Sequence, residues 1–158
     1  MRTLAIGGPL LLLLSLGCSG SDPISPQELS SLTRAETLWR ARPFGDYSYE
    51  MIQSCFCPPV SGRWTRVTVR QGIVADAQAL DPDPMFPVDQ LVYWMPIDSL
   101  FGRLKRAAND ATVREVYRDI IVEFDAALGY PTRVEWISKP TVQDAGVVYA
   151  LRNVRPLQ

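Results

Sequence analysis

The chain has 158 residues, 47% of them hydrophobic, with 16 Lys and Arg against 17 Asp and Glu and a formal charge of −1. That length suits one domain with a buried core, and without a basic stripe no nucleic acid is expected as a partner. Histidine is absent, which excludes Ser-His-Asp and Cys-His catalysis and His-ligated metal sites.

Residues 1–17 read as an export signal. Arg2 supplies the charge, Leu10 to Leu14 the apolar run, and small residues lead into Cys18 in "LLLLLSLGCSGS". The run is too short for a spanning helix, which needs about 20 apolar residues. The junction Ser15-Leu16-Gly17-Cys18 resembles a bacterial lipobox. That resemblance implies that the Cys18 sulfur takes a diacylglycerol and its freed amine an acyl chain, and two or three chains anchor firmly where one does not. Export also implies an oxidising compartment, where disulfides persist. Residues 18–25, "CSGSDPIS", read as a tether of roughly 15 Å. The remainder, 26–158, reads as a single domain close to the membrane.

Ser25 and Glu28 form a capping box with Pro26 at the first helical position, so a helix is expected over about 26–41. Its apolar stripe is Leu29, Leu32, Ala35 and Trp39, with Leu38 beside it, and Pro43 ends it. "DYSYEMIQSCFC" alternates: Tyr47, Tyr49, Met51, Gln53, Cys55 and Cys57 share one face, Ser48, Glu50, Ile52, Ser54 and Phe56 the other. Trp64 to Arg70, a Gln71-Gly72 turn and Ile73 to Leu80 read as a hairpin. After the proline-rich "DPDPMFPVDQ", Ile97, Leu100, Phe101, Leu104 and Ala108 mark an amphipathic helix opened by Pro96 and Asp98. Residues 109–119 fit either a helix or the start of a strand. Ile120, Val122 and Phe124 alternate from Arg118 onward; "ALGYP" reads as a turn, and "TRVEWI" and "GVVYALRNV" as strands. The fold class expected is α+β in the order αβββ–αβββ: an antiparallel sheet of about six strands in two meanders, two main helices on one face.

The motifs "YSYEMIQSCFCPP", "VTVRQGIV", "PIDSLF" and "GYPTRVEW", in that order, resemble a family of small exported bacterial proteins, often lipoproteins, that carry a domain of unknown function. The likeness covers roughly Trp39 to Leu157. It implies a fold and an envelope location, and it brings no catalytic residues.

With Cys18 lipidated, Cys55 and Cys57 form an even remainder. Residues i and i+2 of a regular strand lie about 6.6 Å apart, whereas disulfide Cβ atoms lie about 3.8 Å apart. A Cys55–Cys57 bond therefore requires the backbone to leave extended geometry, and Pro58 and Pro59 mark the strand's end there. Four readings stand: a local disulfide first, then two thiols in the core, a soft-metal site for Cu(I) with Met51 as thioether, and an intermolecular disulfide. Three other sets are weaker. Asp81 to Pro84 with Asp89 lack the spacing of a Ca²⁺ loop. Tyr47, Tyr49, Trp64, Trp94 and Trp136 read as core before they read as a ligand groove. Glu123, Asp125 and Glu135 read as solvated strand faces. No cofactor and no enzymatic activity are expected. The expected function is a lipid-tethered, non-enzymatic domain that binds another envelope component, on the periplasmic face of the outer membrane where there is one. The alternative is redox or Cu(I) chemistry at Cys55 and Cys57.

Overall fold

A computed structural model of the chain describes residues 22–57, 62–81 and 91–158. The expected signal, Cys18, Pro58–Pro59 and the loop carrying Asp83 and Asp89 lie outside the described residues.

Helix α1 spans Pro26–Arg40. Ser25 Oγ accepts from the Glu28 N–H at 3.2 Å, and Glu28 Oε2 accepts from the Ser25 N–H at 2.8 Å, closing the expected capping box. The buried stripe is Leu32, Ala35, Glu36 and Trp39. Leu29 and Leu38 are not part of it, being 36% and 41% exposed. At about 100° per residue, Leu38 falls roughly a third of a turn off the stripe and Leu29 on its flank. Glu36 enters the stripe because it is paired, with Arg40 at 2.7 Å and Lys105 at 2.8 Å.

Strands β1 (Tyr47–Cys55), β2 (Thr65–Arg70) and β3 (Ile73–Ala79) form the first meander; β4 (Tyr117–Phe124), β5 (Pro131–Ser138) and β6 (Val147–Pro156) form the second. They make one antiparallel sheet in the order β3-β2-β1-β6-β5-β4. The α+β architecture and the order αβββ–αβββ are those the sequence predicts. Between the meanders lie a short 3₁₀ turn (Leu91–Tyr93), α2 (Ile97–Ala107) and a short third helix, α3 (Ala111–Val116). The ambiguous stretch is thus helical first: Asp110 caps α3 through Oδ1 to the Thr112 N–H at 2.9 Å, and β4 starts at Tyr117.

Period-2 alternation sends Tyr47, Tyr49, Met51, Val67, Val69, Ile120, Val134, Trp136, Tyr149 and Leu151 into one layer. There they meet Leu32 and Trp39 of α1 and Ile97, Leu100, Phe101 and Leu104 of α2. The chain before α2 climbs this face of β1. The Ile97 N–H donates to Tyr47 Oη at 2.9 Å, Tyr49 Oη donates to the Met95 carbonyl, and Gln53 Nε2 donates to the Tyr93 carbonyl at 2.8 Å. Burial pushes the Tyr47 and Tyr49 hydroxyls well above their ordinary pKa, so both stay protonated donors.

Two glycines are required by geometry. Gln71 and Gly72 have φ of 51° and 77°, the twisted hairpin turn the sequence predicts. Gly129 has φ +76°, and a Cβ there would overlap the Ala35 carbonyl oxygen of α1.

The sheet has two distinct ends. At one, β1 and β5 finish and β4 and β6 begin; it carries Cys55 and Phe56. The other carries the Gln71-Gly72 turn, the 125–130 turn and Pro156. Residues 22–25, read from sequence as tether, dock at the cysteine end of β4. Asp22 pairs with Arg114 at 2.7 Å, the Pro23 carbonyl accepts from the Ile120 N–H at 2.8 Å, and Ile24 is buried.

Candidate functional site

Among the described residues, the sheet face away from the helices carries one buried charge. Glu50 of β1 is 8% exposed. Its register places it opposite Arg66 of β2 on one side and Arg152 of β6 on the other. Arg152 Nε donates to Glu50 Oε2 at 2.9 Å, Asn153 Nδ2 donates to the same oxygen at 2.8 Å, and Arg66 reaches Oε1 at 3.4 Å.

Consecutive strand residues normally point to opposite faces, so Arg152 and Asn153 share Glu50 for a particular reason. The register of β6 slips by one residue between the pairs Glu50/Arg152 and Ser48/Arg155. Asn153 takes up the slip at φ 55°, a conformation that Asn tolerates better than most residues. The bulge turns a second donor onto the carboxylate. Burial pushes the Glu50 pKa up, but the hydrogen bonds from Asn153, Arg152 and Arg66 outweigh it and hold the carboxyl below its ordinary value. Its enclosure comes from these partners rather than from the core, and it stays ionised.

Arg152 also lies over Trp64, its Cζ 3.7 Å from the ring centroid. Its side chain remains 48% exposed. The two residues line an open cleft of about 480 Å³ with Gly62, Arg63, Leu80 and Asp81. A guanidinium held by a carboxylate on one edge and an indole on its face has lost most of its rotamer freedom. Such a group is preorganised to take a carboxylate or phosphate from solution.

The structure separates the candidates named from sequence. β1 ends at Cys55 and the chain bends at Phe56, which brings the Cys55 and Cys57 Cα atoms to 5.2 Å, within the span of a disulfide. Both cysteines are half-buried, whereas the Phe56 side chain between them is 81% exposed. Met51 is fully buried, and its sulfur lies 3.8 Å from the Tyr49 hydroxyl. Among the described residues, no three His, Cys, Asp or Glu side chains gather as a metal site. Of the five aromatics, Tyr47, Tyr49, Trp94 and Trp136 are core; Trp64 alone belongs to the open face. Asp125 is a correction: it sits in a turn, not on a strand face, and its Oδ1 accepts from the Ala127 and Leu128 N–H groups at 3.0 and 2.7 Å. Sequence reasoning placed Glu50 on the outer face but missed its role. The available signals were a lone acid amid "YSYEMIQ" and an Asn inside the strand run "ALRNV".

A family model described as a family of unknown function (DUF6174) matches residues 31–156. No curated protein and no solved structure matches the chain.

Proposed function

The chain belongs to the DUF6174 family of unknown function, and we propose that it is a non-enzymatic binding domain tethered to the cell envelope by lipid at Cys18. Its recognition surface is the open face of β2, β1 and β6, and the group it recognises is an anion, a carboxylate or phosphate on another envelope component. One observation carries this reading: Arg152 is held between Trp64 and Glu50 on a sheet face that no described helix covers. A lone surface arginine is mobile and well hydrated; this one is fixed beside a cleft. The tether reading draws on the sequence, from Arg2 through the apolar run to Cys18.

A photo-crosslinking side chain placed at exposed Gln78, opposite Arg66, tests the surface in cells. An adduct of defined mass should form with the native chain and disappear with Arg152→Gln. An adduct of equal yield in Arg152→Gln would overturn the assignment. The tether is checked separately: Cys18→Ala should leave the signal uncleaved and the acyl mass absent.

The Cys55–Cys57 geometry supports a second reading, reversible thiol chemistry. Reduction of the pair consumes two electrons and two protons from a dithiol donor and frees both sulfurs, which then suit Cu(I). Alkylation with and without reductant, read by mass, tells bond from thiols. If Cys55→Ser/Cys57→Ser leaves fold, stability and phenotype untouched, this reading fails.

A further inference from the structure

We propose that the cysteine end of the sheet rests on the bilayer surface, with Phe56 and Val92 as apolar anchors in the lipid interface. The proposal rests on acylation of Cys18 and adds an orientation to it.

The chain enters the domain near the cysteine end of the sheet. Asp22 is pinned to Arg114 of α3, just before β4, at 2.7 Å, and Pro23 to Ile120, which lies in register with Cys55 through Trp136 and Val147, at 2.8 Å. Cys18 lies four residues before Asp22, and four residues of fully extended chain span at most about 14 Å. β1 has 9 residues, which at about 3.3 Å each puts the opposite end of the sheet roughly 30 Å away. A lipid on Cys18 therefore reaches the surroundings of the cysteine end and falls well short of the Gln71-Gly72 end. The domain has no slack to lie the other way up.

That end also exposes apolar side chains. Val92 is 84% and Phe56 81% exposed, the two highest values among the described large hydrophobics, with Leu91 and Tyr93 beside Val92 at 40% and 36%. Both anchors are held outward by structure. Phe56 is bracketed by Cys55 and Cys57, and the 3₁₀ turn is tied to the sheet by the Gln53–Tyr93 bond at 2.8 Å. At the far end the comparable residue is Ile73, 66% exposed, but it borders Arg70 and the Gln71 N–H bound to Asp46. An aromatic and an aliphatic side chain projecting at the end from which the tether leaves match the shallow apolar layer beneath lipid headgroups.

The test uses the acylated full chain in vesicles of phosphatidylethanolamine and phosphatidylglycerol. Val92→Cys and, separately, Gln158→Cys are labelled with nitrobenzoxadiazole. The chain without either substitution controls for labelling at Cys55 and Cys57. The dye at 92 should shift to the blue and be quenched several-fold more by lipid-borne nitroxide than the dye at 158. Adding Phe56→Ser should reduce that quenching. A water-like dye at 92, with the acyl mass present on the N-terminal peptide, overturns the orientation and leaves the anchor standing. Absence of the acyl mass overturns both. Stronger quenching at 158 than at 92 overturns the orientation outright.

Discussion

Arg42 and Arg152 each lie close over a tryptophan ring, and they do different work. Arg42 sits 3.9 Å from the Trp39 centroid and Arg152 3.7 Å from that of Trp64. The first pair is sealed: Trp39 is fully buried against Tyr47, Phe44 and Tyr130, and the Arg42 side chain is 12% exposed. Arg42 also bonds the Trp39 carbonyl at 2.9 Å and Asp98 at 3.3 Å, fastening the end of α1 to the start of α2. The second pair is open, with Arg152 48% exposed at the mouth of a cleft. The same contact closes a corner of the core in one place and presents a charge in the other. What decides is how many faces of the guanidinium the fold leaves uncovered.

Substitutions can break that contrast. Trp39→Ala should cost about 3–5 kcal/mol, since it empties a site packed on every side; loss of well under about 2 kcal/mol in urea titration would mean the corner collapses without it. Arg42→Met keeps the stem and removes the bonds to Trp39 and Asp98, for about 2 kcal/mol. Glu50→Gln should cost about 1 kcal/mol and carries a pH signature. The folded carboxyl has the lower pKa, so its contribution is full above the unfolded value of about 4.3 and is lost as pH falls through the lower folded one. The gap in stability between native and Glu50→Gln should therefore narrow only in acid, and a gap constant down through that range would refute it. Trp64→Ala should be the mildest, about 0.5–1 kcal/mol, while abolishing the Gln78 crosslink. A mild effect on both would place the recognition surface elsewhere.

The local rules were legible along the chain. Ser25 and Glu28, Gln71-Gly72, the alternation of β1 and the stripe of α2 each depend on residues a few positions apart, and each appears where expected. The misreadings share a cause. Leu38 looks apolar enough for the stripe, but the sheet sets which arc of α1 is covered, and paired Glu36 takes the place. Asp125 looks like a strand residue until Gly129 reverses the chain and turns its side chain into a local acceptor. The candidate site was the least legible part. Glu50 and Arg152 stand about a hundred residues apart and meet only because β6 pairs with β1, and Asn153 faces Glu50 only because the strand bulges. Neither pairing nor bulge leaves a periodic trace. Trp64 and Trp94 look alike in sequence, and burial alone separates them.

The strand order has a consequence in time. β1 and β6, first and last of the strands, are neighbours at the centre of the sheet. A chain emerging from a ribosome or a translocation pore N-terminus first can complete the β1–β2–β3 meander early, yet it leaves one whole edge of β1 without a partner. That edge stays unsatisfied until Val147–Pro156, the last of the six strands in sequence, arrives. For that interval the protein presents Tyr47, Tyr49 and Met51 on a raw strand edge, a hazard for pairing with other chains. A stop codon at Val147 would prolong that interval indefinitely, splitting the sheet down its middle rather than trimming its rim.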